Sequence, residues 1–117
     1  MRSLVFAVLL VASSFGCAST ATHAPLTPAG PPVSAETPVI VYGARWCQHT
    51  RAALDYLRGR NIPVRFRDVE QDPDAWDEMM SRARAAHVDA RGIPVLSVRD
   101  RVLVGYHQEE VDRALQD

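Results

Sequence analysis

Between residues 38 and 115 the spacing of apolar side chains switches repeatedly between period two and period three to four. That alternation constrains the fold more than any other feature of the chain. Residues 38–42 form a short apolar run of the buried-strand type. From Gln48 to about residue 60, Ala53, Leu54 and Leu57 make a helical stripe among Arg51, Asp55 and Arg58. Asn61 suits a left-handed helix end, and Pro63 forbids continuation. Residues 64–69 alternate apolar and polar, a half-buried strand. Asp72-Pro73 reads as a helix start, with Asp as N-cap and Pro in the first turn. Trp76, Met79, Met80 and Ala83 then give one apolar face, which the spacing assigns to core packing. Residues 95–98 and 102–104 flank Arg99-Asp100-Arg101 as a hairpin, and Val111, Ala114 and Leu115 mark a last short helix. The order β-α-β-α-β-β-α predicts an α/β domain.

Composition divides the rest. Residues 4–12 are an apolar run behind Met1-Arg2, within the ~7–15 residues of a secretory h-region and short of the ~20 needed to span a bilayer. Small residues lead to Gly16-Cys17. This N-terminus resembles a bacterial lipoprotein signal, and the resemblance implies that Cys17 is lipidated and becomes the mature N-terminus. An ordinary cleaved signal with Cys17 incidental is the alternative, and it would leave a soluble periplasmic protein. Ala18 rather than Asp follows, so inner-membrane retention is not signalled. Residues 17–37 are dominated by Pro, Ala, Thr and Ser, too poor in apolar side chains to offset ordering entropy, and read as an extended, mobile tether. The expected organisation is a signal at 1–16, a tether at 17–37 and a domain at 38–117. The product is an exported protein, anchored by lipid in the cell envelope and facing the periplasm from the outer membrane.

Removing the signal takes Arg2 away, leaving 12 basic residues against 14 acidic ones, well mixed. Neither a nucleic-acid footprint nor a polybasic membrane patch is visible. A domain of about 80 residues has room for one modest core, and with one cysteine it holds no internal disulfide. It is read as a monomer.

That cysteine, Cys47, directly follows the first strand and opens the first helix. A thiol there faces unpaired backbone N–H groups and the positive end of a helix dipole, both of which favour the nucleophilic thiolate. Three residues on, where a dithiol motif has its second cysteine, the chain has Thr50. His49, two positions on, need not converge on Cys47 and reads as a surface residue tuning local charge; no set of further ligands clusters nearby, so no metal site is expected. His87 and His107 read as solvated loop residues, and Arg65, Arg67 and Asp68 as a solvated strand face.

Three blocks, in this order, resemble the glutaredoxin branch of the thioredoxin-like fold: Val41-Tyr42-Gly43-Ala44-Arg45-Trp46-Cys47-Gln48-His49-Thr50, Arg91-Gly92-Ile93-Pro94-Val95, and Val102-Leu103-Val104-Gly105-Tyr106. The resemblance spans residues 38–115. It implies a four-stranded mixed sheet flanked by helices, a cis Pro94 beside the sulfur, and an Ile93 backbone turned to pair with an extended peptide or glutathione. It also implies that Trp46 shields the sulfur, that Thr50 donates to the thiolate, and that Arg45, Gln48, Gly105 and Tyr106 line the substrate or glutathione site. The activity implied is thiol–disulfide exchange with no bound cofactor. Cys47 would attack a disulfide, and glutathione or another external thiol would resolve the mixed disulfide. The partners would be disulfide-containing or thiol-modified envelope proteins. Iron–sulfur binding is not expected, because Gln48-His49-Thr50 replaces the Gly-Phe-Ser of cluster-binding members. The chain also reads Gly105-Tyr106-His107-Gln108 where the family's glutathione pocket has Gly-Gly and then Asp.

A redox-inactive module that holds an extended segment beside Pro94 is the other reading. An open Cys47 at its helix start favours the enzyme, and a buried thiol favours the module, because attack needs access.

Overall fold

A computed structural model of the chain describes residues 30–116; the signal at 1–16, Cys17 and the tether as far as residue 29 lie outside them. Seven elements follow in the expected order: β1 (Val39–Gly43), α1 (Gln48–Gly59), β2 (Val64–Asp68), α2 (Pro73–Ala85), β3 (Val95–Val98), β4 (Arg101–Val104) and α3 (Gln108–Gln116). The sheet runs β2-β1-β3-β4. β1 pairs parallel with β2 and antiparallel with β3, and β3 pairs antiparallel with β4. A parallel pair needs a long crossover, and α1 supplies it between β1 and β2.

Helices cover both faces of the sheet, which is why β1 reads as an unbroken apolar run rather than an alternating one. Val39 and Val41 point to the side packed by Leu54 and Leu57 of α1 and Val111 of α3. Ile40 and Tyr42 point to the other side, against Met79 and Ala83 of α2. Each fully buried Val, Leu or Met contributes about 1.5–3 kcal/mol. The buried Tyr42 ring keeps its hydroxyl at the edge, where it donates to Glu78 Oε1 at 2.6 Å. That donation is the main cause holding the Glu78 carboxyl below its usual pKa.

The helix ends follow local rules. Past α1, Asn61 takes φ 56°; its N–H donates to the Arg58 carbonyl at 3.0 Å, and the Ile62 N–H to Leu57 at 2.9 Å. These two bonds make the left-handed cap that the asparagine suggested. α2 opens with the Asp72 carboxylate accepting from the Asp74 N–H at 3.0 Å. It closes on His87, φ 55°, whose N–H reaches the Arg84 carbonyl while that of Val88 reaches Ala83. His87 is thus exposed, as expected of a loop residue, and is also a helix cap.

Three expectations change. In α2 the buried face is Ala75, Met79 and Ala83, so the core-facing line is centred one residue back from the Trp76-Met79-Met80-Ala83 stripe. Trp76 lies at its margin and is 46% exposed. On β2 only Arg65 is solvated in the sense expected. Arg67 bridges Asp72 at 3.3 Å and Glu78 at 3.1 Å. The Asp68 carboxylate is largely covered and accepts the N–H groups of Glu70 and Gln71 that turn the chain out of the strand. Finally, residues 30–37, tether by composition, lie on the domain: Val33 packs against the α1–α3 core, and Gly30 exchanges hydrogen bonds with the side chains of Asp100 and Arg99.

Candidate active site

Gly43 ends β1, and a tight turn follows in which the Cys47 N–H donates to the Ala44 carbonyl at 3.1 Å. Cys47 is the N-cap of α1, in extended conformation, and its side chain makes no capping hydrogen bond. The first-turn N–H groups are therefore left to act on the sulfur as a partial positive charge. Burial pushes the thiol pKa up. The Thr50 hydroxyl, the backbone N–H groups of Thr50 and His49, and the charge of Arg51 outweigh that, and the pKa ends below the ordinary thiol value. His49 contributes through its backbone N–H.

Cys47 is 8% exposed, while Arg45, Trp46, Gln48 and His49 around it are all exposed. The cysteine is nearly covered within an open loop, the arrangement expected of the module rather than of an enzyme with an open thiol.

Thr50 is fully buried. Its Oγ1 meets no partner in good hydrogen-bond geometry, although it is the leading stabiliser of the Cys47 thiolate. An unpaired buried hydroxyl is costly, and this one lies in the helix turn that follows Cys47. Gly43 makes the room for it: a Cβ at Gly43 would overlap Thr50 Oγ1 and lie 2.6 Å from its Cγ2. Sequence reasoning missed Gly43, although a glycine at the end of an apolar strand signals close approach.

The Ile93–Pro94 peptide bond is cis, as the resemblance implies. Tyr42 pairs with Val95, so one further step in that antiparallel register sets Pro94 opposite Gly43, where the Cys47 turn begins. The Pro94 carbonyl accepts the Gly105 N–H at 2.8 Å, and Gly105, at φ 82°, occupies the left-handed region that favours glycine.

The remaining expected residues divide. Trp46 is 68% exposed, and its indole N–H donates to Glu70 Oε2 at 2.8 Å. Arg45 Nε stands 3.6 Å from Asp68, beside a groove also lined by Trp46, Glu70 and Gln71. Gln48 is exposed at the first residue of α1. Tyr106 is not gathered to Cys47; its ring lies 6.1 Å from that of Tyr56 and packs on the α1–α3 core. A second groove, of about 270 Å³, brings Trp46, Val69, Trp76, Gly92 and Ile93 together. Trp76, which its spacing assigned to core packing, lines this groove instead.

Comparison with known proteins agrees with this geometry. A curated relative, an uncharacterised glutaredoxin-like 8.6 kDa protein in the rubredoxin operon of Clostridium pasteurianum, is 27% identical over 71 residues, 61% of this chain and 84% of that protein. The glutaredoxin of Archaeoglobus fulgidus superposes with a TM-score of 0.55 at 16% identity, covering 68% of this chain and 86% of that one. The thioredoxin-like protein BC3987 superposes with a TM-score of 0.54 at 21% identity, covering 66% and 99%. These likenesses show the thioredoxin-like fold. The glutaredoxin family model matches residues 39–103, the stretch that carries β1 to β3, most of β4, Cys47 and Pro94: this chain belongs to the glutaredoxin family.

Proposed function

We propose that the protein is a single-thiol thiol–disulfide oxidoreductase in which Cys47 is the attacking group. The observation that carries the reading is the place of Cys47 at the N-cap of α1, where Thr50, the first-turn N–H groups and the charge of Arg51 draw its pKa down against the effect of burial. In the first step the Cys47 thiolate attacks one sulfur of a disulfide in line. A Cys47–substrate disulfide forms, the substrate's own S–S bond breaks, and the departing thiolate takes a proton from solvent. In the second step an external thiolate attacks the substrate sulfur of the mixed disulfide. Cys47 leaves as a thiolate, stabilised again by the same donors, and the substrate departs as a disulfide with the incoming thiol. Cys47 is the only cysteine of residues 18–117, so the second thiol comes from glutathione, a partner protein or another small thiol. No bound cofactor enters the cycle.

The same proposal places the domain in the cell envelope, attached to the outer membrane through a lipid on Cys17. The apolar run at residues 4–12 and the Gly16-Cys17 junction support it. Its substrates there are exported proteins with disulfides or thiol adducts. Labelling with a palmitate analogue that is lost in Cys17→Ala tests the anchor, and unlabelled wild type sinks it.

The 8% exposure of Cys47 favours a second reading, a redox-silent module that holds an extended segment beside Pro94. The pH dependence of iodoacetamide alkylation in Cys17→Ala, where Cys47 is the only thiol, separates the two. Half-maximal reactivity well below the ~8.5 of a free thiol supports the oxidoreductase. Reactivity that rises only near that value, or is negligible throughout, overturns it and leaves the module.

A further inference from the structure

We propose that the groove between Trp46 and Trp76 is a specificity pocket for one bulky apolar or aromatic side chain of an extended polypeptide, so that Cys47 acts on cysteines flanked by such a residue rather than on glutathione adducts. The proposal rests on the exchange reading above and names its substrate class.

Trp46 and Trp76 are the exposed large hydrophobic residues among those described, at 68% and 46%. They come from different elements, the turn before α1 and the first turn of α2, yet they line one groove with Val69, Gly92 and Ile93. Large aromatic rings left in water at the same spot mark a contact surface more often than a packing accident. One wall is already set: the Trp46 indole is held by Glu70 at 2.8 Å, so little freedom is lost when a ligand side chain enters. The opposite wall, Ile93, leads into Pro94 and thus to the strand end where Cys47 begins α1. A side chain close in sequence to a substrate cysteine therefore falls into the groove while its sulfur approaches Cys47.

Size and charge select the occupant. About 270 Å³ lies below the ~300–1,000 Å³ of sites that enclose whole small ligands, and suits a single large side chain. Glutathione brings two carboxylates and one ammonium. Two charged side chains also line the groove and both are engaged, Arg91 with Asp89 at 2.7 Å and Glu70 with the Trp46 indole; Arg45 beside it stands 3.6 Å from Asp68, and Tyr106 packs on Tyr56 instead of the groove. An uncharged, apolar occupant meets complementary surface; glutathione, with two carboxylates and an ammonium to pair, does not.

Two measurements on the full chain test this. Trp46 and Trp76 are its only tryptophans, so their fluorescence reports the groove directly. Peptides of one sequence, with Ser in place of the reactive Cys and either Phe or Ala two residues before it, are titrated against wild type. The same Phe and Ala peptides, carrying Cys as a mixed disulfide with 2-mercaptoethanol, are compared with glutathione disulfide and 2-hydroxyethyl disulfide as exchange substrates. The expected result is a preference for Phe over Ala of about tenfold in binding and in exchange rate. That preference collapses toward one in Trp76→Ala, with Trp76→Gln as the second variant if the first unfolds. Equal binding of the Phe and Ala peptides, or faster exchange with glutathione disulfide than with the Phe peptide, overturns the proposal. Absence of exchange with every disulfide, including the small neutral one, fails the Cys47 reading and with it the proposed substrate class. The Ser-peptide titration still reports whether the groove selects Phe, so failure of the chemistry and failure of the pocket are told apart.

Discussion

Replacing Gly43 by alanine probes the link between the central strand and the reactive sulfur. A Cβ there would lie 2.6 Å from Thr50 Cγ2 and 3.0 Å from Thr50 Cβ, and would overlap Thr50 Oγ1. Carbon pairs pack at about 3.5–4.0 Å, so the shortfall is about 1 Å at the closest carbon. Neither partner yields easily. Gly43 lies on β1 between two paired strands, and Thr50 is fully buried in the first turn of α1. Overpacking of this kind costs about 1–3 kcal/mol, and each kcal/mol lowers Tm by about 4–8 °C in a domain of this size. The cheapest relief is rotation of Thr50, which swings its hydroxyl away from Cys47. Gly43→Ala therefore moves two observables together: urea unfolding shifts to lower denaturant, and the pH at which Cys47 is half-alkylated rises. Thr50→Ala alone raises the alkylation midpoint and costs about 1 kcal/mol through its buried methyl, since the hydroxyl it removes has no good partner in the neutral state. The double substitution recovers at least half of the Gly43→Ala stability loss, since the overlapping atoms are gone; the cycle isolates that coupling. If Gly43→Ala unfolds within about 0.5 kcal/mol of wild type and its alkylation profile does not move, Gly43 is not the spacer for Thr50 and the reasoning fails.

Two further outcomes follow from the same contacts. Cys47 has a lower pKa folded than an ordinary thiol, so it stabilises the fold fully above the unfolded thiol value and loses that contribution as pH falls through the folded value. Stability curves of wild type and Cys47→Ser should therefore converge at low pH and separate as pH rises, and parallel curves would refute the shift. Asn61 holds the left-handed cap of α1, so Asn61→Ala should cost about 1 kcal/mol in urea unfolding while Asn61→Gly costs nothing or stabilises; equal effects would show that the φ angle is not the cause.

Much of the fold was legible because it is written in local periodicity. The run before Gly43 has the unbroken apolar character of a strand covered on both faces. Asn61 before Pro63 and Asp72 before Pro73 announced helix ends through backbone preferences that need no distant partner. Cys47 was legible from its place between a strand and a helix, whereas Pro94 and Gly105 were legible only through the resemblance to the glutaredoxin family. Trp76 was not, since helical spacing shows that α2 has an apolar side but not how α2 is rotated over Ile40 and Tyr42. That rotation buries Ala75 and leaves the indole at the margin. Asp68 and Arg67 were read as a solvated face because their partners, Arg45 and Glu78, lie outside their strand.

The chain's own order of residues decided that there would be alternating strands and helices, and that one cysteine would stand at the start of a helix, because hydrogen-bond geometry over a few residues sets both. Tertiary structure alone decided what surrounds that cysteine. Closing β1 against β3 sets Pro94 opposite Gly43, the empty side of Gly43 admits the Thr50 hydroxyl, and the packing of α2 brings Trp76 to Trp46. Such meetings depend on how rigid elements stack, and no local preference encodes the distance between side chains on different elements.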